Sequence, residues 1–229
     1  MHLKNIIQAK FIEKENRFVW IGKINGEKIK FHIWDTGRLK ELLYNWNEIL
    51  LQKLEEKQDR KYNFRLICAK GLLWDFTLVN SLLHSSLITE YFKNKNIDFK
   101  KEVKYWNSRI DFLVWNTFIE VKWVSLVEKQ NKDFVAMFPD APTTRWQKHL
   151  LELININKTW EYKAKILFLF TNNVAKFKPN KKIDKIFSDL FYKFLENWWE
   201  VGFLFAKCNF LGNEIKIEVL EKNNIEILM

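Results

Sequence analysis

The chain reads as an α+β protein of two domains, a small N-terminal β-barrel followed by a mixed sheet flanked by helices. Three observations lead there. Residues 6–70 carry five short apolar runs punctuated by turn residues. After Gly71 strand-like runs alternate with segments of helical spacing. Nearly half of the 229 residues are hydrophobic and 16% are aromatic, which supplies a packed core and excludes disorder as the main state.

The first domain, expected over residues 1–75, is anchored by a hairpin. Phe18–Ile24 and Glu27–Ile33 flank Asn25-Gly26, a pair suited to a two-residue turn with positive φ. Pairing across it sets Phe18 opposite Ile33, Trp20 opposite Phe31 and Ile24 opposite Glu27. Alternation then puts Phe18, Trp20, Ile24, Ile29, Phe31 and Ile33 on one face, and Lys23, Lys28, Lys30 and His32 on the other. Ile6–Ile12, Glu48–Lys53 and Lys61–Lys70 are further strands, with Arg38–Leu43 as a helical turn. Five strands and one helical insert suggest a barrel of the oligonucleotide-binding (OB) kind, a plain meander being the alternative.

The second domain, expected over 76–229, opens with a helix at Asn80–Lys93 carrying Leu82, Leu83, Leu87 and Phe92. Ile110–Val114 and Thr117–Lys122 are strands. Thr143 caps a helix running to about Ile156, with Gln147, Leu150, Leu151 and Ile154 as its stripe. Tyr162–Phe170 is a continuous apolar strand. Ile183, Ile186, Phe187, Leu190, Phe194 and Leu195 mark a third helix, before strands near Val201–Cys208 and Glu214–Leu220. The boundary falls near Leu72–Thr77, with no low-complexity linker and no internal repeat.

A formal charge of +10 and a pI near 9.4 point to a polyanionic partner. Lys, Asn, Ile and Phe, all residues of A/T-rich codons, are abundant, so part of that charge reflects codon bias. The longest apolar runs, such as Ile166–Phe170, are too short to span a bilayer. Met1–Lys10 holds no signal-peptide pattern, so a cytoplasmic protein without a membrane partner is expected. Cys68 and Cys208 fit ordinary core thiols, and no Cys/His cluster suggests zinc. Nothing in the residues specifies an oligomeric state.

The sharpest chemical signal is Arg109-Ile110-Asp111-Phe112 followed by Ile119-Glu120-Val121-Lys122. With Trp115-Asn116 as a two-residue turn, Asp111 falls opposite Glu120, and Lys122 joins their face. Ile110, Phe112, Ile119 and Val121 point the other way. Two facing carboxylates repel, and a divalent cation such as Mg²⁺ or Mn²⁺ relieves that repulsion. Such a metal polarises a phosphodiester, while the lysine stabilises developing charge. The competing reading is a solvated hairpin whose Asp, Glu and Lys form a surface salt bridge.

Several further motifs stand in a telling order. They are Asn16-Arg17-Phe18, Asp35-Thr36-Gly37-Arg38-Leu39, Lys101-Glu102-Val103-Lys104-Tyr105, Ser108-Arg109-Ile110-Asp111-Phe112-Leu113, Glu120-Val121-Lys122, Phe138-Pro139-Asp140-Ala141, Thr144-Arg145 and Gln147-Lys148-His149-Leu150. In this order, over nearly the whole chain, the sequence resembles the sugar fermentation stimulation protein family. The resemblance implies an OB-type barrel joined to a PD-(D/E)xK nuclease-like domain, DNA binding of weak sequence specificity, and a role in regulating sugar metabolism.

Carried over, Asp111 and Glu120 become metal ligands and Lys122 the catalytic lysine. Glu90 and Gln147 match an acidic and a glutamine position of such domains, and Glu102 is a weaker carboxylate candidate. Glu90 reads equally as a solvent-facing helix residue. Arg38, Lys23, Lys28, Lys30, Arg109, Arg145 and Lys148 are candidate nucleic-acid contacts, with structural salt bridges or solvation as alternatives for Arg38 and Lys148. His149 fits a structural histidine better than a general base. A non-catalytic DNA-binding regulator that keeps the nuclease fold is the alternative function.

One imbalance remains: 11 tryptophans against 6 glycines. Trp46, Trp106, Trp115, Trp123, Trp146, Trp160 and Trp199 stand where turn chemistry, the family pattern or local context suits glycine, whereas Trp20 belongs to the hairpin core. The family reads Arg-Gly-Gln-Lys-His where this chain has Trp146. Two readings are open: base-stacking platforms, or UGA codons that some bacterial codes assign to glycine.

Overall fold

The computed structural model describes every residue except 35–38, 40, 58–60, 107 and 198. The N-terminal strands are β1 (His2–Lys4), β2 (Ile6–Lys14), β3 (Val19–Ile24), β4 (Glu27–His32), β5 (Glu48–Lys53), β6 (Phe64–Lys70) and β7 (Phe76–Leu78). A 3-10 turn at Ser81–Leu83 leads to α1 (His84–Asn94), β8 (Lys100–Tyr105), β9 (Ser108–Val114), β10 (Thr117–Val124), β11 (Val127–Gln130) and β12 (Asp133–Phe138). There follow α2 (Thr144–Lys158), β13 (Lys163–Phe170), β14 (Lys176–Pro179), α3 (Lys185–Glu196), β15 (Glu200–Phe210), β16 (Glu214–Glu221) and β17 (Glu226–Ile227).

Two compact units result. The first gathers Met1–Leu87, Thr171–Asn173 and Ala206–Val219; the second gathers Ile88–Phe170, Val174–Phe205 and Leu220–Met229. Pairing, rather than chain order, sets the first unit. Residues 214–216 of β16 pair antiparallel with β1, and Thr77 Oγ1 donates to Asn172 Oδ1 at 2.9 Å.

In the first unit six strands run in the order β4-β3-β2-β5-β6-β7, and a β4–β6 pairing at His32 and Arg65 closes the barrel. Register shifts at Phe11/Glu13 and Leu50/Leu51 supply the irregularity that lets short strands coil. The β3–β4 hairpin has the expected register, with Trp20 opposite Phe31 and Ile24 opposite Glu27. Its turn places Asn25 at φ +48° and Gly26 at φ +94°, which explains that dipeptide. Trp20, Phe31 and Ile33 enter a core with Phe11, Leu42, Ile49 and Leu66. Phe18 is a correction: it lies just outside β3, is 42% exposed, and stacks on His32. Of the helical turn expected at 38–43, residues 38 and 40 lie outside those described, while Leu42 and Leu43 both donate to the Leu39 carbonyl. Cys68 and Cys208 are free thiols with Sγ atoms 3.7 Å apart.

In the second unit β13 is the spine. It pairs in parallel with β10 on one side and with Glu200–Phe205 of β15 on the other, while β9 and β8 add antiparallel strands beyond β10. The expected mixed sheet is therefore present, and the near-continuous apolar run of β13 reflects burial on both faces. A second sheet, β11-β12-β14-β17, was not anticipated. α3 buries Phe187, Phe191 and Phe194 at spacings of four and three, while Ile186 is exposed. α2 buries Leu150, Leu153, Ile154 and Ile156, and the expected Leu151 instead faces outward. Leu82, expected on a buried stripe, is exposed because its segment is a 3-10 turn. No helix among the described residues is long and apolar enough to cross a membrane.

The Gly26 turn yields a test. Gly26→Ala adds a Cβ that meets no neighbour but must adopt φ +94°. It is expected to destabilise the fold by about 1–2 kcal/mol, measured by urea denaturation.

Candidate metal and phosphodiester site

The β9–β10 hairpin follows the predicted register, Val114 with Thr117, Leu113 with Phe118 and Phe112 with Ile119. One step beyond these pairs come Asp111 and Glu120, and there a side chain takes over from the ladder: Val121 N donates to Asp111 Oδ2 at 2.8 Å. Ile110, Phe112 and Ile119 are buried on the other face, as alternation requires. The solvated-hairpin reading fails on burial. Glu120 and Lys122 are only 2% and 3% exposed.

β8 extends the rung. Val103 pairs with Ile110 and Lys101 with Phe112, which aligns Glu102 with Asp111. Glu102 is exposed, has φ +52°, and lies 4.0 Å from the Arg109 guanidinium. Arg109 is thus engaged by a carboxylate at the surface rather than buried in the cluster.

The chemistry centres on Glu120. Its Oε1 accepts from Lys122 Nζ at 2.5 Å and faces His149 Nδ1 at 2.5 Å. Burial raises the Glu120 carboxyl, but the Lys122 charge and the His149 hydrogen bond outweigh it and hold it at about 2. An ionised carboxylate only accepts, so the His149 proton sits on Nδ1. Asp111 goes the other way: burial first, then the Glu120 charge, pushes its carboxyl up to about 6. Burial also lowers the Lys122 ammonium, with Glu120 and Asp111 drawing it back. Among the described residues, Asp111 Oδ1 and Glu120 Oε2 carry no hydrogen bond and are the oxygens left for a ligand.

α2 supplies the cover. Trp146 and His149, three residues apart, share a helix face. The Trp146 ring lies 3.8 Å from Lys122 Nζ and meets His149 edge-on. The exposed Arg145 guanidinium lies 5.2 Å from the Trp146 ring, and its charge opposes that of Lys122. Lys148 is exposed and pairs with Glu152 on its own helix.

Not every candidate joins the cluster. Gln147 donates through Nε2 to both oxygens of Asp184 at 3.0 Å, so its amide supports a helix terminus rather than the carboxylates. Asp184 is the buried N-cap of α3 and also accepts from Phe187 N. Sequence reading missed it, although an Asp just before an apolar helical stripe is a capping signal. Glu90 lies half-buried on α1. Arg38 lies outside the described residues.

In the first unit Lys23 faces Lys28 directly across the hairpin. Like charges so placed cost stability, which an anionic partner relieves. Lys30 is committed to Glu15 at 2.5 Å, and that carboxylate raises its ammonium further.

No group of three His, Cys, Asp or Glu residues suited to a metal ion occurs among the described residues. A pair of carboxylates nonetheless fits a cation that keeps most of its waters, as Mg²⁺ does. Asp111, pressed against an ionised Glu120, is the group a cation would relieve.

Two family models match the chain: the SfsA N-terminal OB domain over residues 12–71, and the sugar fermentation stimulation protein RE domain over residues 76–213. A sugar fermentation stimulation protein homolog of Picrophilus torridus is 37% identical over 205 residues, covering 89% of this chain and 85% of that protein. One from Thermoplasma volcanium is 35% identical and covers 94% of both. Among solved structures, Pyrococcus furiosus SfsA in complex with Ca²⁺ superposes with a TM-score of 0.78 at 25% identity, covering 100% of this chain and 98% of that one.

The strained carboxyl yields a prediction. Asp111 keeps its proton to about pH 6 when folded but releases it near 3.8 when unfolded. Its contribution to stability is therefore present at low pH and lost as pH rises through that window. Asp111→Asn keeps the acceptor for Val121 N and removes the charge. In EDTA it is expected to unfold later than wild type by about 1–3 kcal/mol above pH 7, the gain vanishing towards pH 4, by chemical denaturation across pH.

Proposed function

The chain belongs to the sugar fermentation stimulation protein family, and we propose that it binds nucleic acid and carries a divalent-metal phosphodiesterase site at Asp111, Glu120 and Lys122. The observation that carries this reading is the Glu120–Lys122 pair, buried on the rung of an Asp111 carboxyl raised to about 6. A structural salt bridge has no use for a second, repelled carboxylate beside it. That a Pyrococcus furiosus relative was solved in complex with Ca²⁺ supports a divalent cation as a ligand of this fold.

Asp111 Oδ1 and Glu120 Oε2 would hold Mg²⁺ or Mn²⁺, which when bound polarises a phosphodiester and acidifies water. His149 fixes the Glu120 carboxylate, and Lys122 sets a positive charge beside the position a phosphate oxygen takes. The Arg145 and Arg109 side chains are exposed cations of the same unit suited to flanking phosphates. Lys23 and Lys28 serve the barrel, and Lys30 joins them once Glu15 is displaced. Contacts of this kind are to the backbone, so DNA binding is weakly sequence-specific. The family's name supports a regulatory role in sugar metabolism as part of this reading.

A second reading, a DNA-binding regulator without turnover, is favoured by one contact: the Trp146 ring at 3.8 Å covers the Lys122 ammonium.

Labelled single- and double-stranded DNA and RNA, incubated with Mg²⁺, Mn²⁺ or EDTA, separate these readings. Metal-dependent cleavage by the wild type, lost at least 100-fold in Asp111→Asn with binding retained, is expected for the enzyme, as an order-of-magnitude estimate. Equal cleavage by Asp111→Asn would expose a contaminating nuclease. Trp146→Gly uncovers Lys122 and should raise cleavage. If neither wild type nor Trp146→Gly cleaves any substrate, the regulator remains. Binding itself is expected to weaken with salt, with a log–log slope of about −0.9 per neutralised phosphate on duplex DNA. A flat salt titration would contradict phosphate-led binding.

A further inference from the structure

We infer that positions 46, 74, 106, 115 and 160 are glycine in the functional protein, their codons being UGA read as glycine in the source. The backbone makes the case. Trp46, Trp74, Trp106, Trp115 and Trp160 have φ of +68°, +64°, +50°, +53° and +62°. A bulky L-residue is a conformational outlier there, because its Cβ crowds the following carbonyl.

An internal control exists in the same chain. It contains 20 Phe and 6 Tyr, all of them described, and none adopts positive φ. Aromatic bulk is thus kept out of the left-handed region, except where the residue is tryptophan. Apart from the five tryptophans, the other positive-φ non-glycines among the described residues are four asparagines, Leu39 and Glu102. Asparagine is the ordinary substitute for glycine in this conformation.

Local geometry asks for glycine at each place. Trp115 is the first residue of the two-residue turn between Val114 and Thr117. Trp106 holds the same position between Tyr105 and Ser108. Such turns need positive φ at their first residue. Trp160 directly follows Thr159, the C-cap of α2, where a left-handed glycine commonly ends a helix. Trp74 N donates to Gly71 O at 3.0 Å in a loop closed by Gly71 N and Asp75 O, and Trp46 N donates to Phe11 O at 2.7 Å before β5. Trp74, Trp106, Trp115 and Trp160 are 80–94% exposed, so no packing gain offsets the strain.

Composition agrees. Tryptophan and glycine together make up about the 7% that glycine alone holds in ordinary proteins. Base-stacking platforms do not explain the pattern, since Tyr or Phe on unstrained backbone would serve equally well. Trp123 and Trp146, suspected on sequence grounds, do not adopt positive φ, and Trp74 was not suspected.

The test does not depend on the proposed activity. Sequencing the gene and mass-mapping peptides of the protein purified from its source are expected to give UGA codons and glycine residues at all five positions. UGG codons, or tryptophan in those peptides, overturn the inference. In recombinant protein the combined change Trp46→Gly, Trp74→Gly, Trp106→Gly, Trp115→Gly and Trp160→Gly is expected to raise the melting temperature by about 2–4 °C per position. An unchanged or lower melting temperature overturns it independently.

Discussion

Everything distinctive about the second unit follows from one buried ion pair, Glu120 with Lys122. Taking two charges out of water costs several kcal/mol per ion, roughly, and the cost is recovered only with good geometry and further hydrogen bonds. The strand provides the geometry, because residues two apart in β10 share a face. His149 provides the further hydrogen bond, reaching from α2 onto the same carboxylate oxygen. The hydrophobic floor comes from the opposite alternation, Ile110, Phe112 and Ile119, so one period of two builds both the core and the cluster. A well-packed apolar pair would serve stability at least as well, and the proposed phosphodiesterase site is the reading that gives these charges a use.

Asp111 sharpens that point. It stands on the rung of an ionised glutamate, is largely buried, and receives a single backbone donor. Its raised carboxyl is a stability loss near neutral pH, written into a site whose other members are mutually satisfied. Stability given up in one place, beside groups able to bind metal and phosphate, is the pattern expected where function is conserved against stability. The Lys23–Lys28 pairing in the barrel has the same character on a smaller scale, since two lysines face each other across the hairpin. Under the proposed function both repulsions would be relieved by the components of one ligand: a cation for the carboxylates, a phosphate backbone for the lysines.

The parts of the fold legible in the sequence were those with a strong local signal. Asn25-Gly26 dictated a turn, and through it the register of the whole β3–β4 hairpin. The alternation around Asp111 and Glu120 gave the hairpin register as far as Phe112 and Ile119, but not the burial of Glu120, because the helix that covers it begins 24 residues further along the chain. β8 escaped notice because its Lys-Lys-Glu-Val-Lys-Tyr run is an exposed edge with almost no apolar alternation. The helices were found but their faces were partly misassigned: Leu151 and Ile186 each neighbour a buried residue, about 100° of helix rotation away. Gln147 followed the family pattern into the site list, yet the fold brought it to Asp184, a partner fixed by tertiary packing and invisible to local spacing. Pairing between distant segments, likewise, is what gives the first unit residues 206–219.

The glycine assignments also change how the surface is read. With the five strained indoles present, the chain displays aromatic rings at hairpin and helix ends in both units, which imitates a surface made for stacking on bases. Replace them by glycine and those rings vanish, while the lysines and arginines remain. On the proposed function, what is left would meet nucleic acid through charge, with base stacking confined to rings on ordinary backbone such as Phe18 and its partner His32. Recognition would then rest on phosphates, which every sequence offers alike, and under the proposed function selectivity would have to arise at the Asp111–Glu120–Lys122 cluster. The turns at Trp106 and Trp115 bound β9, the strand that carries Asp111, so relaxing them acts on the placement of that carboxylate as well as on the fold.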